Sequence, residues 1–192
     1  ALRTCAPHAA ADAMAGCLMD TLLEFYETPD PFTECLFDTM RTMVKVPIAG
    51  RIAEPCAGNW AIVHAAVREM GDDREWVTND LDTRWGADHH YDAATAQCWD
   101  ALGPIQWTVT NPPFTPAIEI AAHALSRSSV GVAMHLRASI HEVLKTGVRR
   151  TWMADHLPTG ILWLPRFAYQ RSKTTGKWTT DSVCACWVIW MK

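Results

Sequence analysis

The sequence predicts an α/β protein, a three-layer α/β/α sandwich on a seven-stranded, mostly parallel sheet that ends in an antiparallel hairpin. Three observations predict it. Short β-branched and aromatic runs alternate with stretches of helical apolar spacing. A turn of small residues, Pro55-Cys56-Ala57-Gly58-Asn59, joins the first of these strands to the helix after it, as a backbone that must approach a ligand requires. The last strand, Ser182 to Trp190, is nearly continuous apolar sequence, as for a strand covered on both faces. With 192 residues, 49% of them hydrophobic and 20% charged, the chain can bury one core of ordinary globular composition. A single domain over 1–192 is expected, with helices over 1–45 and the sheet over 51–192.

The elements follow in order. Apolar spacing from His8 to Phe25 (Met14, Cys17, Leu18, Leu22) predicts an amphipathic helix, broken by Pro29 and Pro31. Thr28 with Pro29 reads as an N-cap and first helical residue. The helix they start runs to about Val44, with Phe32, Cys35, Leu36, Thr39, Met40 and Met43 on one stripe. Its amino end is an anion site suited to a carboxylate. Arg51 to Glu54 is the first strand, and Ala61 to Met70 is the helix beyond the small-residue turn. Trp76-Val77-Thr78 is the second strand, running into Asn79-Asp80-Leu81-Asp82. Asp80 lies 26 residues after Glu54, near the offset at which nucleotide-binding folds set an acid on ribose hydroxyls. A solvated turn aspartate is the alternative.

His89-His90-Tyr91-Asp92 reads as the third strand, with an acid at its carboxyl end, and Ile105 to Thr110 as the fourth. A helix from Pro116 to Ser126 leads to the fifth strand, Ser129 to Leu136. Helical sequence from Ser139 to about Met153 precedes the sixth strand, Gly160 to Leu164. Arg166 to Thr180 is polar and basic, carries Gly176 and lacks core periodicity, so it reads as a long loop before the seventh strand.

Composition excludes several classes. No run of about 18 uncharged apolar residues exists, so no membrane span is expected. Seven scattered cysteines without a CxxC pair read as reduced thiols of a cytoplasmic protein. The eight histidines include no i, i+4 pair near a cysteine, so no zinc site is expected. The net charge of −4 hides an asymmetry: residues 1–110 carry −10 and residues 111–192 carry +6. The second half is basic, as a side facing a polyanion would be, although chance segregation would look the same.

The fourth strand ends in Asn111-Pro112-Pro113-Phe114. Two prolines cannot donate to a sheet ladder, so the strand stops there and the chain leaves the carboxyl edge extended. That is the edge at which open α/β sheets bind ligands. The Asn111 amide and the Pro112 carbonyl are two acceptors and the Phe114 ring is a stacking face, which suits a flat heterocycle bearing an amino group. A proline-terminated strand whose Asn caps a turn is the alternative.

These stretches resemble a known family. Glu54-Pro55-Cys56-Ala57-Gly58-Asn59 is similar to the glycine-rich motif of class I S-adenosylmethionine (SAM) methyltransferases, and Asn111-Pro112-Pro113-Phe114 to the Asp/Asn-Pro-Pro-Tyr/Phe motif of amino-methyltransferases. Thr28-Pro29 before a helix resembles the extra cofactor motif of gamma-type DNA adenine-N6 methyltransferases, and Lys173 to Trp190 the tail of small phage-type members. The resemblance implies a Rossmann-like class I methyltransferase fold and SAM as cofactor. It implies that Thr28 and Pro29 lie near the methionine carboxylate, that Glu54, Pro55, Cys56, Ala57, Gly58 and Asn59 line the methionine and ribose part, that Asp80 and Leu81 hold the ribose, and that Asp92 and Ala93 hold the adenine. Asn111 and Pro112 would grip the target nitrogen, Pro113 would shape the same site, and Phe114 would stack on the base.

The implied reaction is methylation of adenine N6 in DNA, with the base flipped out of the duplex. Arg166, Arg171, Lys173 and Lys177 are the expected grip on DNA. No separate target-recognition domain is expected, so a homodimer or a separate specificity partner is. Two departures stand out: Trp60 occupies the place of a third small glycine, where it would narrow the pocket or cover the cofactor, and Asn111 replaces the commoner Asp. An RNA base or a protein glutamine is the alternative substrate, and a degenerate fold serving as a binding module is the non-enzyme alternative. A dinucleotide-dependent dehydrogenase is disfavoured because GxGxxG spacing is missing after Glu54.

Overall fold

The computed structural model describes residues 27–71, 74–141, 148–166, 170–171, 178–179 and 184–192. The helix expected over His8 to Phe25 therefore lies outside the described residues, as do Lys173 and Lys177.

The chain opens with α1 (Asp30–Thr39), extended by a π-helical turn, Met40–Val44. It continues through β1 (Arg51–Glu54), α2 (Ala61–Met70), β2 (Glu75–Thr78) and a 3-10 turn, Thr83–Trp85. Next come α3 (Ala96–Leu102), β3 (Ile105–Thr110), α4 (Ala117–Arg127) and β4 (Ser128–Arg137), then a second 3-10 turn, Ala138–His141. The chain closes with α5 (Val148–Asp155), β5 (Gly160–Trp163), β6 (Gln170–Arg171), β7 (Trp178–Thr179) and β8 (Ala185–Met191).

The main sheet has six strands in the order β2-β1-β3-β4-β8-β5. The first four are parallel, and β8 runs antiparallel between β4 and β5. The third strand expected, His89 to Asp92, is reduced to a single parallel bridge, Asn79 to His89. The backbone bonds there are confined to His89, whose N–H donates to the Thr78 carbonyl and whose carbonyl accepts from the Asp80 N–H (3.1 Å each), and side chains hold the rest. The Asp88 carboxylate accepts from the Thr78 N–H (2.8 Å) and hydroxyl (2.9 Å), and the Asn79 amide takes both backbone groups of Tyr91. The loop expected over Arg166 to Thr180 contains the two-residue ladder β6–β7. Sequence spacing gave no expectation of α3, which is only seven residues long and buries Cys98, Trp99 and Leu102.

Period-two alternation divides the core between the two faces. On β8, Cys186, Val188 and Trp190 join the cluster under α3 and α4, while Trp187 and Ile189 join the cluster under α1 and α2. On β4, Val132, Met134 and Leu136 face the first cluster and Ala133 the second. Trp99, Trp107 and Trp187 are fully buried, each contributing on the order of 4 kcal/mol of apolar burial. Gly131 is required by one of them, since a Cβ there would lie 2.5 Å from the Trp107 ring.

Two expectations about α1 are corrected. Its buried stripe is Phe32, Thr33, Leu36, Phe37 and Met40, whereas Cys35 is exposed and Met43 is 78% exposed. The π turn rotates the residues after Met40 off the α-helical stripe. Thr28 is not the N-cap. Pro29 holds that position in extended conformation, and its carbonyl accepts from the Phe32 N–H at 2.9 Å.

Candidate active site

Strand order reverses direction at β1, whose neighbours β2 and β3 lie on opposite sides, and such a switch point opens a crevice at the strands' carboxyl ends. A cavity of about 540 Å³ lies there. Its wall includes Glu54 at the end of β1, the Pro55-Cys56-Ala57-Gly58-Asn59 turn, Asp80 and Leu81 after β2, Asp92 and Ala93, then Asn111 and Pro113 after β3, with Thr28 at the rim. Thirteen of the expected positions thus meet at one cavity. Pro29, Pro112 and Phe114 are not on its wall.

The turn after β1 is tied down from below. Gly58 adopts a left-handed φ of 48°, and its N–H donates to Asp80 Oδ2 at 2.7 Å. Asp80 Oδ1 accepts from the Asp82 N–H at 2.8 Å. Burial raises the Asp80 pKa, and these two bonds oppose the rise. Beneath them Asn79, 0% exposed, donates from Nδ2 to the carbonyls of Pro55 and Tyr91 (2.9 Å each) and accepts from the Tyr91 N–H at 2.8 Å. One side chain therefore staples the segments after β1 and β2 to the segment ending at Asp92. Asp92 itself is exposed at the mouth, and its Oδ1 accepts from the Ala94 N–H at 2.9 Å.

Glu54 is buried on the wall. Burial first, then the Asp80 charge, push its carboxyl well above the usual carboxylate range, against a hydrogen bond from the Val63 backbone. Its Oε2 has no partner among the described residues. The same two causes push the Cys56 thiol well up.

Across the cavity, Asn111 Nδ2 donates to Thr28 Oγ1 at 3.0 Å, and Asn111 Oδ1 lies 3.2 Å from His135 Nδ1. This is what Thr28, 3% exposed, does in place of capping a helix. Phe114 carries a cation on its face, with the Arg137 guanidinium carbon 4.0 Å from the ring centroid. Arg166 is exposed and off the cavity wall, and Arg171 falls in β6. Arg84, on the wall, is paired with Asp82, whose carboxyl it holds below the usual range.

Trp60 is not on the cavity wall, although Trp85, to whose carbonyl its indole N–H donates at 3.0 Å, is. It begins α2 at φ 66°, a left-handed conformation that favours glycine. Sequence reasoning missed Asn79, His135, Arg137, Trp85 and Tyr91. His135 did carry a signal, as a lone titratable side chain in the apolar run of β4. A buried asparagine at a strand end carries none. Among the described residues no group of three His, Cys, Asp or Glu side chains is arranged to hold a metal ion, and no helix is long and apolar enough to cross a membrane.

No protein-family model and no curated protein matches the chain. Solved structures do. The type I restriction-modification system methyltransferase subunit from Streptococcus thermophilus aligns with a TM-score of 0.64 at 11% identity, over 100% of this chain and 51% of that one. The M protein of the type I restriction enzyme EcoKI aligns with a TM-score of 0.61 at 13% identity, over 91% of this chain and 45% of that one. An O-methyltransferase from Bacillus cereus in complex with SAH aligns with a TM-score of 0.55 at 10% identity, over 100% of this chain and 94% of that one. The chain spans about half the length of the two type I proteins. It has the fold of class I SAM-dependent methyltransferases.

Proposed function

We propose that this chain transfers a methyl group from SAM to an exocyclic amino nitrogen, adenine N6 in DNA being the substrate. The observation that carries the reading is Asn111 at the carboxyl end of β3, on the cavity wall and 3.0 Å from Thr28. That asparagine opens the Asn-Pro-Pro-Phe motif, and Thr28 belongs to the motif the family sets beside its cofactor. The fold supports SAM as the cofactor, and two of the structures it resembles are type I restriction-modification methyltransferases, which supports DNA.

The residues present fit the cofactor. The cavity is of ligand size. Asp80 offers a carboxylate whose oxygens already orient on two backbone N–H groups, and Glu54 Oε2, on the wall and without a partner among the described residues, is a buried acceptor that would suit a positively charged ligand. When bound, SAM supplies an activated sulfonium methyl. The protein's part is then to position the acceptor nitrogen and to stabilise the positive charge it gains. The Asn111 amide oxygen accepts from the amino group, the motif assigns the second acceptor to the Pro112 carbonyl, which lies off the cavity wall here, and no strong base is needed. Arg137 on the face of Phe114 brings a cation to the place where a flipped nucleotide would enter.

A partner, either a second copy or a separate specificity protein, is the proposed source of sequence recognition, since two of the similar structures are methyltransferase components of type I restriction systems. Methyl transfer from labelled SAM to DNA, RNA and protein, with binding measured in parallel, tests the whole reading. DNA should be labelled, and Asn111→Ala should abolish labelling while SAM binding persists. Labelling of RNA or protein alone would reassign the substrate, and absence of SAM binding would leave only a binding module.

A further inference from the structure

The reaction as proposed leaves one polar group beside Asn111 without a task. His135 lies on β4 between the apolar Met134 and Leu136 and is 3% exposed. Its ring is edge-on to Trp187, with centroids 5.2 Å apart, and tilted against Phe32 at 5.9 Å. Nδ1 lies 3.2 Å from Asn111 Oδ1, and Nε2 has no partner among the described residues. An imidazole in this aromatic box is neutral near pH 7, burial having pushed its titration down to about 4.

A neutral imidazole has one N–H. An amide oxygen only accepts, so the bond to Oδ1 requires the proton on Nδ1. The other arrangement, with the amide turned over and donating to Nδ1, puts the proton on Nε2. That would bury an N–H against the aromatic wall with no acceptor, a worse orphan than an unpaired lone pair. Thr28 fixes the far end of the amide by accepting from Nδ2 at 3.0 Å.

From this geometry we infer that His135, as its Nδ1–H tautomer, is a positioning residue that keeps the Asn111 amide oxygen turned toward the substrate nitrogen. The inference rests on the reading of Asn111 as the acceptor of a substrate N–H. An asparagine amide turned by half a revolution has nearly the same shape, so hydrogen bonds decide which end points where. Turned over, it would set its own N–H donors against those of the substrate amine. An amide oxygen accepts two hydrogen bonds, so the bond from His135 does not exhaust it.

Two measurements test this. The first uses the unaltered protein: a long-range proton–nitrogen correlation spectrum of histidine-labelled protein at pH 7 should give the Nδ1–H pattern for His135. An Nε2–H pattern would overturn the inference. The second compares His135→Asn with His135→Leu, which are nearly isosteric and leave similar voids, although only asparagine can donate at the Nδ1 position. The leucine variant should turn over about tenfold more slowly than the asparagine variant, with KM for DNA and Kd for SAM alike in both. Equal kcat values in the two would overturn it. Asn111→Ala run alongside separates the readings: activity surviving there removes the proposed role of Asn111, whereas an inactive Asn111→Ala with an indifferent Asn/Leu pair removes only His135.

Discussion

Two asparagines leave the carboxyl edge of the same sheet, Asn79 just beyond β2 and Asn111 just beyond β3, and their surroundings are opposite. Asn79 is sealed in, and all of its side-chain bonds run to backbone groups of Pro55 and Tyr91. Asn111 is half-buried on the cavity wall and is held by side chains, Thr28 on one end and His135 on the other. A residue bonded to backbone cannot turn to a ligand without releasing the loops it fastens. A residue held by side chains can be oriented and still face the cavity. The first region builds the cavity, and the second faces into it.

Breaking each asparagine should therefore give opposite phenotypes. Asn79→Ala strands the Pro55 and Tyr91 carbonyls and the Tyr91 N–H, so denaturant unfolding should register a loss of about 3 kcal/mol or more. Asn111→Ala should change stability by less than about 1 kcal/mol while costing methyl transfer at least about 100-fold. A destabilised Asn111→Ala or an unaffected Asn79→Ala would erase the contrast.

The Asn111 side should also carry an acid-sensitive weakness. His135 titrates near 4 in the folded chain, against about 6.5 when unfolded. Its neutral form is the one the fold tolerates, so stability is intact above about pH 6.5 and falls as pH drops toward 4, by up to about 3 kcal/mol. His135→Leu should flatten that part of the stability–pH curve. A wild-type curve level across the window would contradict a buried, neutral ring.

On the other side Glu54 gives the reverse sign. Its folded pKa is raised, so ionisation weighs against the fold as pH climbs above about 4.3. Glu54→Gln should stabilise the ligand-free protein at neutral pH by about 1 kcal/mol or more, and the gain should vanish in acid. The same variant should bind SAM less well, because it gives up the carboxylate charge on the wall. Equal stability at every pH would show that Glu54 is solvated.

Trp60→Gly should have the smallest effect. Relief of a left-handed φ, about 1 kcal/mol, offsets loss of the indole bond to Trp85. Unfolding should shift little, while SAM should dissociate faster from a turn no longer tethered to the 83–85 segment. A loss well above 1 kcal/mol would make Trp60 a packing anchor and nothing more.

Much of the fold is legible along the chain because strands and helices announce themselves by local periodicity. Arg51–Glu54, Ala61–Met70 and Ile105–Thr110 lie where apolar spacing sets them, and Ala117–Arg127 within a residue of it. The third strand misleads because His89 to Tyr91 has strand-like composition, while only His89 pairs with the neighbouring backbone, at Thr78 and Asp80, and both backbone groups of Tyr91 go to the Asn79 side chain, which no local pattern records. Thr28 was misread for the same reason. Its sequence neighbours argue for a cap, yet its partner is 83 residues away.

The sequence by itself determined the order of elements, the sheet edge at which the site would open, and most of the residues that line it, because small-residue turns and a double proline act locally on the backbone. Only the tertiary structure decided which of two asparagines fastens the loops and which faces the cavity, that a histidine from the next strand stands behind Asn111, and that the Trp60 indole bonds to the Trp85 carbonyl. Those outcomes depend on hydrogen bonds and ring contacts between residues far apart in the chain. They exist only once the sheet has brought four strands' ends together.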